Sequence, residues 1–177
     1  LQGAAVFITR SQKLVRDQYP GGVVNCGKVD VSPGSFNIVP EKASLRLECR
    51  HPDPDTLSRM ESDLIRLAQD CAIEYRLTVS PQRVLHRNPA RMSSDMINAI
   101  EAACHDASCR YEPIISYAGH DAQILSPFTP SAMIFIPSTQ GVSHNPREFT
   151  EWRYVELGAN ILLKTILTMA GRHQSTE

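Results

Sequence analysis

Two histidines stand in loops that follow apolar runs. His120 lies in "SYAGHDAQ", Ser116 to Gln123, and His144 lies in "GVSHNPRE", Gly141 to Glu148. Imidazole is the commonest protein metal ligand and the natural acid/base group near neutral pH. Gly119 and Gly141 sit close by and permit close backbone approach or unusual dihedrals. A metal centre needs three or more protein ligands. The chain has no HxH, HExxH or CxxC pair that would complete a set around either ring. Each histidine alone fits an ordinary surface residue as well as a ligand. Asp121 suits either a ring-orienting carboxylate or a helix cap. Glu148 suits either a pairing role or the first turn of a helix, where its charge matches the dipole.

A second group of candidates is basic. Arg46 and Arg50 fall on one face of a strand-like segment, and Asn37 precedes "IVP". The planar fork of arginine matches a carboxylate, and a solvated strand face is the competing explanation. His51, His86, His105 and His173 fall at strand ends, in a helix and in the tail, and are expected to be structural or solvated. The five cysteines, at 26, 49, 71, 104 and 109, lack CxxC spacing and read as reduced, mostly buried thiols of a cytoplasmic protein.

The elements that must position these residues follow from periodicity. Residues 1–18 predict an amphipathic helix on Ala4, Ala5, Ile8 and Val15, ended by Pro20-Gly21-Gly22. "VVNCGKVDV" and "ASLRLECRH" predict strands around a Pro33-Gly34 turn. Asp53-Pro54 is a cap followed by proline at the first helical position, ahead of a stripe of Leu57, Met60, Leu64, Leu67 and Cys71. "YRLTVSPQRVLH" predicts a further strand, which completes a small α+β layer with helices on one side of an open sheet. Ser93 or Ser94 caps a helix carrying Met96, Ile97, Ile100 and Ala103. "EPIISYAG" and the continuous apolar run "SAMIFIPS" predict strands, the second buried on both faces. A last helix is expected from Thr150 to Ala170, stopped by Gly171. The boundary between the two layers falls at 86/87. In open α/β sheets ligands bind beyond the carboxyl ends of strands, where both histidine loops are expected.

With a net charge of −1, the chain shows no pull toward nucleic acid or an anionic membrane. No apolar run reaches the roughly 20 residues of a membrane span. The first segment reads as a helix already under way at Leu1, so the sequence is expected to be the C-terminal part of a longer protein.

Taken in order, "GKVDVSPGSFNIVPEKASLRLECRHPD", "SYAGHDAQ", "GVSHNPRE" and "GANILL" resemble the N-carbamoyl-L-amino-acid hydrolase family, with its allantoate amidohydrolase and β-ureidopropionase relatives. The resemblance covers almost the whole chain. It implies an α/β fold: part of a dinuclear-metal aminopeptidase-like catalytic domain, residues 87–177, with part of an inserted α+β lid and dimerisation domain, residues 1–86. It also implies metal-dependent hydrolysis of the carbamoyl or ureido C–N bond, yielding an amino acid or related acid, ammonia and carbon dioxide. By the same resemblance His144 aligns with the last metal ligand. Asn37 and Arg50 align with residues that hold the substrate carboxylate, often across a homodimer, and Gly119 and His120 align with a pocket-lining loop. The full-length subunit would bind two divalent ions (Zn, Mn, Co or Ni). Its other ligands and its catalytic glutamate would precede Leu1, so this stretch alone would be inactive. Tyr117 departs from the family, which commonly has a small residue there. The ring either narrows the pocket or packs beneath the loop. Two competing expectations remain: a related amidase or peptidase acting on acylamino acids or dipeptides, and a non-catalytic dimerisation module.

Overall fold

The computed structural model describes residues 1–173, and the chain divides into two compact units, Leu1–Pro89 and a second that begins at Ala90. In the first, helix α1 (Gln2–Gln18) is followed by strands β1 (Val23–Ser32) and β2 (Lys42–Arg50) and by helix α2 (Pro54–Glu74). The buried face of α1 is Gly3, Phe7, Ser11 and Val15. Ala5, expected on that face, is exposed, and Ala4 and Ile8 are half-buried. The contact stripe is therefore rotated toward the larger side chains, because Phe7 and Val15 bury more apolar area than alanines can.

Strands β1 and β2 pair antiparallel from Val23 opposite Arg50 to Ser32 opposite Lys42, with a register shift between Cys26 and Lys28. Side chains alternate along a strand, so Val24, Leu47 and Cys49 share one face. That face packs on the core of Val15, Tyr19, Leu57, Met60 and Leu64. Asp53 caps α2 by accepting from the Thr56 N–H at 2.8 Å, as its position before Pro54 predicts. The Thr56 hydrogen bond holds the Asp53 carboxyl below the ordinary range. The hydroxyl of Tyr19 donates to Asp63, and Arg10 spans from α1 to Glu74 of α2 at 2.5 Å.

Beyond Glu74 the expectation fails in one respect. Residues 77–86 form no strand. Leu77 packs near Gly3, and Arg83 donates two hydrogen bonds to Glu61, at 2.6 and 2.5 Å. The extended-type sequence is present, but among the described residues no neighbouring strand offers it a ladder.

The second unit is built on helices α3 (Ser94–Asp106), α4 (Asp121–Leu125) and α5 (Trp152–His173). Ser93 caps α3, and Ala103, Cys104 and Ile161 form the core, with Ile100, Cys109, Ile134 and Leu157 around it. Lys164 of α5 pairs with Asp106 of α3. Helix α5 starts two residues later than expected, at Trp152, and runs through Gly171 to His173. Gly171 therefore does not stop it: its backbone stays helical and does not take the left-handed C-cap conformation that favours glycine. The side chain of His173 lies outside the described residues.

Neither "EPIISYAG" nor "SAMIFIPS" forms a strand among the described residues; the sheet consists of β1 and β2. The second run still alternates. Ile134 joins the helix core, and Ile136 approaches α5 so closely that a Cβ on Gly158 would lie 2.6 Å from its Cγ2. Phe135 points elsewhere, toward the ring of His120. Such a run becomes a strand only when a neighbour is hydrogen-bonded beside it.

Candidate functional site

His144 sits in a loop that closes on itself. At its base the Thr139 N–H donates to the Phe149 carbonyl at 2.8 Å, and the Thr150 hydroxyl donates to the Pro137 carbonyl at 3.0 Å. The Ser138 hydroxyl donates to the Val142 carbonyl at 2.5 Å. Inside this frame Gln140, Gly141 and His144 take left-handed backbone angles, with φ of 57°, 68° and 55°. Glycine adopts that conformation readily, whereas histidine does so at a cost and needs a restraint. The restraint is Glu148: its Oε2 accepts the His144 N–H at 2.8 Å, and its own N–H donates to the Asn145 carbonyl. Asn145 Oδ1 accepts the Arg147 N–H at 3.0 Å. Glu148 therefore buckles the loop and does not occupy the first turn of α5. The histidine side chain is exposed, and its ring takes no hydrogen bond among the described residues.

His120 is held from two sides. Its Nε2 shares a 2.9 Å hydrogen bond with the Ser116 hydroxyl, and its ring meets Phe135 edge-on at 5.5 Å. It occupies the N-cap of the short α4 without a side-chain cap bond, and Asp121 is the first helical residue. Asp121 thus neither orients the ring nor caps the helix. Gly119 is not required by geometry: a Cβ there would make only an ordinary 3.9 Å contact with Gln123. Tyr117 is half-buried. Ser116 and Phe135 were not singled out in the sequence. The serine four residues before the histidine, and the odd position in an alternating run, were the available signals.

Asn37 and Arg50 belong to the first unit and lie at opposite ends of its ribbon. Asn37 is exposed in the connection between β1 and β2, flanked by Phe36, Ile38 and Val39, which are exposed as well. Arg50 ends β2 and pairs with Val23 at the far end. The nine-residue span of β2, at about 3.3 Å per step, sets those ends roughly 26 Å apart. Arg50 is half-buried and donates to Glu48 Oε1 at 2.7 Å, so its guanidinium already holds one carboxylate on the strand face. Arg46 is exposed on the same side. His51 is structural: its Nδ1 accepts the Asp53 N–H at 3.0 Å and its Nε2 faces the Pro20 carbonyl at 3.2 Å. An open concavity of about 740 Å³ beside it, lined by Tyr19, Arg59 and Asp63, includes neither Asn37 nor Arg50.

Among the described residues no three His, Cys, Asp or Glu side chains gather as a metal set. The donor chemistry of His144 fits one coordination position, since its exposed imidazole is presented by a fastened loop. The remaining ligands of any metal centre are not supplied by the described residues.

The chain spans well under half the length of the relatives it matches. It is 33% identical over 148 residues to an uncharacterized hydrolase of Haemophilus influenzae, covering 84% of this chain and 36% of that protein. It is 31% identical to an allantoate amidohydrolase of Escherichia coli, with the same coverage of each. The solved structure of an amidase of the hydantoinase/carbamoylase family from Burkholderia multivorans superposes with a TM-score of 0.88 at 28% identity. That match covers 94% of this chain and 41% of the other. The description of peptidase family M20/M25/M40 matches residues 4–168, and the chain belongs to that family.

Proposed function

We propose that the protein containing this chain is a metal-dependent hydrolase. It would cleave the carbamoyl or ureido C–N bond of N-carbamoyl-L-amino acids or of allantoate-like acids. The observation that carries this reading is the His144 loop, a costly left-handed histidine fastened by Glu148 with its ring left open, in a chain whose relatives include an allantoate amidohydrolase. In this reading residues 1–86 are lid and residues 87–177 catalytic domain, and His144 donates one ligand to a two-ion centre. When bound, the divalent cations supply Lewis acidity toward the urea-type carbonyl. In the same reading the runs 112–119 and 131–138 would take their ladders from other segments of the intact protein, of whose relatives this chain spans only part. His120, held by Ser116 and Phe135, lines the pocket with Gly119.

Asn37 and Arg50 recognise the substrate carboxylate. Since they occupy opposite ends of one ribbon, a single pocket draws them from two copies of the chain, and the exposed Phe36, Ile38 and Val39 give the Asn37 tip an apolar surface to seat on a second copy. Cleavage of acylamino acids or dipeptides is the second reading, favoured by the peptidase description of the family. A panel of N-carbamoyl amino acids, allantoate, acylamino acids and dipeptides given to the intact protein separates the two. Turnover confined to the last two classes overturns the carbamoyl assignment.

Two variants test the residues. His144→Ala in the intact protein is expected to lose a metal equivalent per subunit, read by elemental analysis; unchanged metal content removes His144 from the centre. Asn37→Ala and Arg50→Ala are each expected to abolish turnover on N-carbamoyl amino acids. Subunits of the two variants, dissociated and remixed, are expected to regain about a quarter of the wild-type rate, because half the dimers are mixed and each then has one intact pocket. No recovery on remixing, with dimers formed, would place both residues in the same copy's pocket.

A further inference from the structure

Helix α3 ends in a Schellman arrangement. The Cys109 N–H donates to the Cys104 carbonyl at 3.1 Å, the Ser108 N–H donates to the His105 carbonyl at 2.9 Å, and Ser108 takes φ of 50°. This motif brings the side chain three positions before the cap against the one two positions after it, a contact usually made by two apolar residues. Here both are cysteines. Cys104 is 6% exposed in the core with Ala103 and Ile161, and half-buried Cys109 packs on the same core. Burial, and then the hydrogen bond that the Cys104 S–H gives the neighbouring Cys109 side chain, push the Cys104 thiol up to about 11. Tyr111 fastens the segment a second time, its hydroxyl 3.0 Å from His105 Nε2 and its ring edge-on at 5.4 Å.

We propose that Cys104 and Cys109 are an oxidation site that forms an intrachain disulfide in response to hydrogen peroxide, clamping the end of α3 to the segment that leads toward His120. Cys109, the more accessible sulfur, attacks one peroxide oxygen. The O–O bond breaks, and sulfenic acid and one water result. The Cys104 sulfur then attacks the sulfenic sulfur. The S–S bond forms, the S–O bond breaks, and the hydroxyl leaves with the Cys104 proton as a second water. Two thiols are oxidised by two electrons, one peroxide is reduced to two waters, and a dithiol reductant reverses the step. The other cysteines lack this placement. Cys26 and Cys49 occupy diagonal positions on the β1–β2 ribbon, about 7–8 Å apart, beyond ordinary disulfide reach, and Cys71 is buried alone in α2.

The test uses the intact protein, titrated with hydrogen peroxide, blocked with iodoacetamide and digested with trypsin without reduction. Cleavage after Arg91 and Arg110 releases residues 92–110, which hold Cys104 and Cys109 and no other cysteine. The expected result is a peptide lighter by two hydrogens that takes no alkyl group until a dithiol is added. Full alkylation of both cysteines after peroxide, or accumulation of sulfinic acid on Cys109 beside an alkylatable Cys104, overturns the proposal. So does a Cys26–Cys49 cross-link formed as fast. In Cys109→Ser, Cys104 is expected to survive the same peroxide unoxidised and to alkylate only after unfolding. Oxidation of Cys104 at the wild-type rate in that variant overturns the assigned order.

Discussion

The two units treat strand-forming sequence differently. In Leu1–Pro89 the segments around Pro33-Gly34 pair with each other, because an antiparallel ribbon finds its partner across a short connection. In Ala90–Glu177 the apolar run around Ile134 joins no ladder among the described residues; Ile134 in the helix core and Ile136 against Gly158 hold it, with single hydrogen bonds to the Ser131 and Pro137 carbonyls. The same contrast recurs within the first unit, where β1 and β2 pair while residues 77–86 do not. Hydrophobic pattern decides which face of a segment is buried, but ladder formation depends on what lies alongside, and that partner can come from anywhere in sequence.

This contrast can be broken or sharpened by substitution. The largest effect is expected at Met60, fully buried where α2 covers the ribbon. Met60→Ala should cost about 2–5 kcal/mol, read by urea unfolding of the intact protein, with faster amide exchange in α1, α2, β1 and β2. A loss below 1 kcal/mol would mean that the paired strands hold without their helix layer. Next is Gly158→Ala. Alanine in place of an interior helical glycine ordinarily stabilises by about 1 kcal/mol. Here the added Cβ meets Ile136, and overpacking that costs about 1–3 kcal/mol leaves an expected net loss of up to about 2 kcal/mol. A gain in stability would show that the apolar run is not pressed against α5.

The smallest effect concerns pH. The folded-state Asp53 carboxyl lies below its unfolded value because Thr56 donates to it. Its contribution is therefore fully present above the unfolded carboxylate pKa and lost as pH falls through the folded one. Asp53→Asn keeps an acceptor at the cap without the charge, and its thermal midpoint should depend less on pH in the acid range. An unchanged acid limb would remove Asp53 from the account.

Much of the local architecture was legible. Asp53-Pro54 and Ser93 announced their helices, and the alternation of Leu45, Leu47 and Cys49 announced β2, since capping and periodicity are local signals. The limits of the reading were not local. Gly171 suggested a stop that α5 passes through, and three strand-like runs needed neighbours that no local pattern specifies. For the candidate site, residue type and order pointed to His120 and His144. The roles of Glu148 and Ser116 depended on tertiary contacts and could not be read from spacing, and the backbone at Gly119 leaves room for a side chain, whereas the left-handed angle of Gly141 would strain one.

The placement of Asn37 and Arg50 at opposite ends of one ribbon has a kinetic corollary. A pocket assembled from two chains exists only in the associated fraction, so under the carboxylate-recognition reading the rate per subunit becomes a function of protein concentration. On dilution below the dissociation constant, the total rate falls with the square of total protein and the rate per subunit in proportion to it, and preincubation with a carboxylate ligand delays that fall.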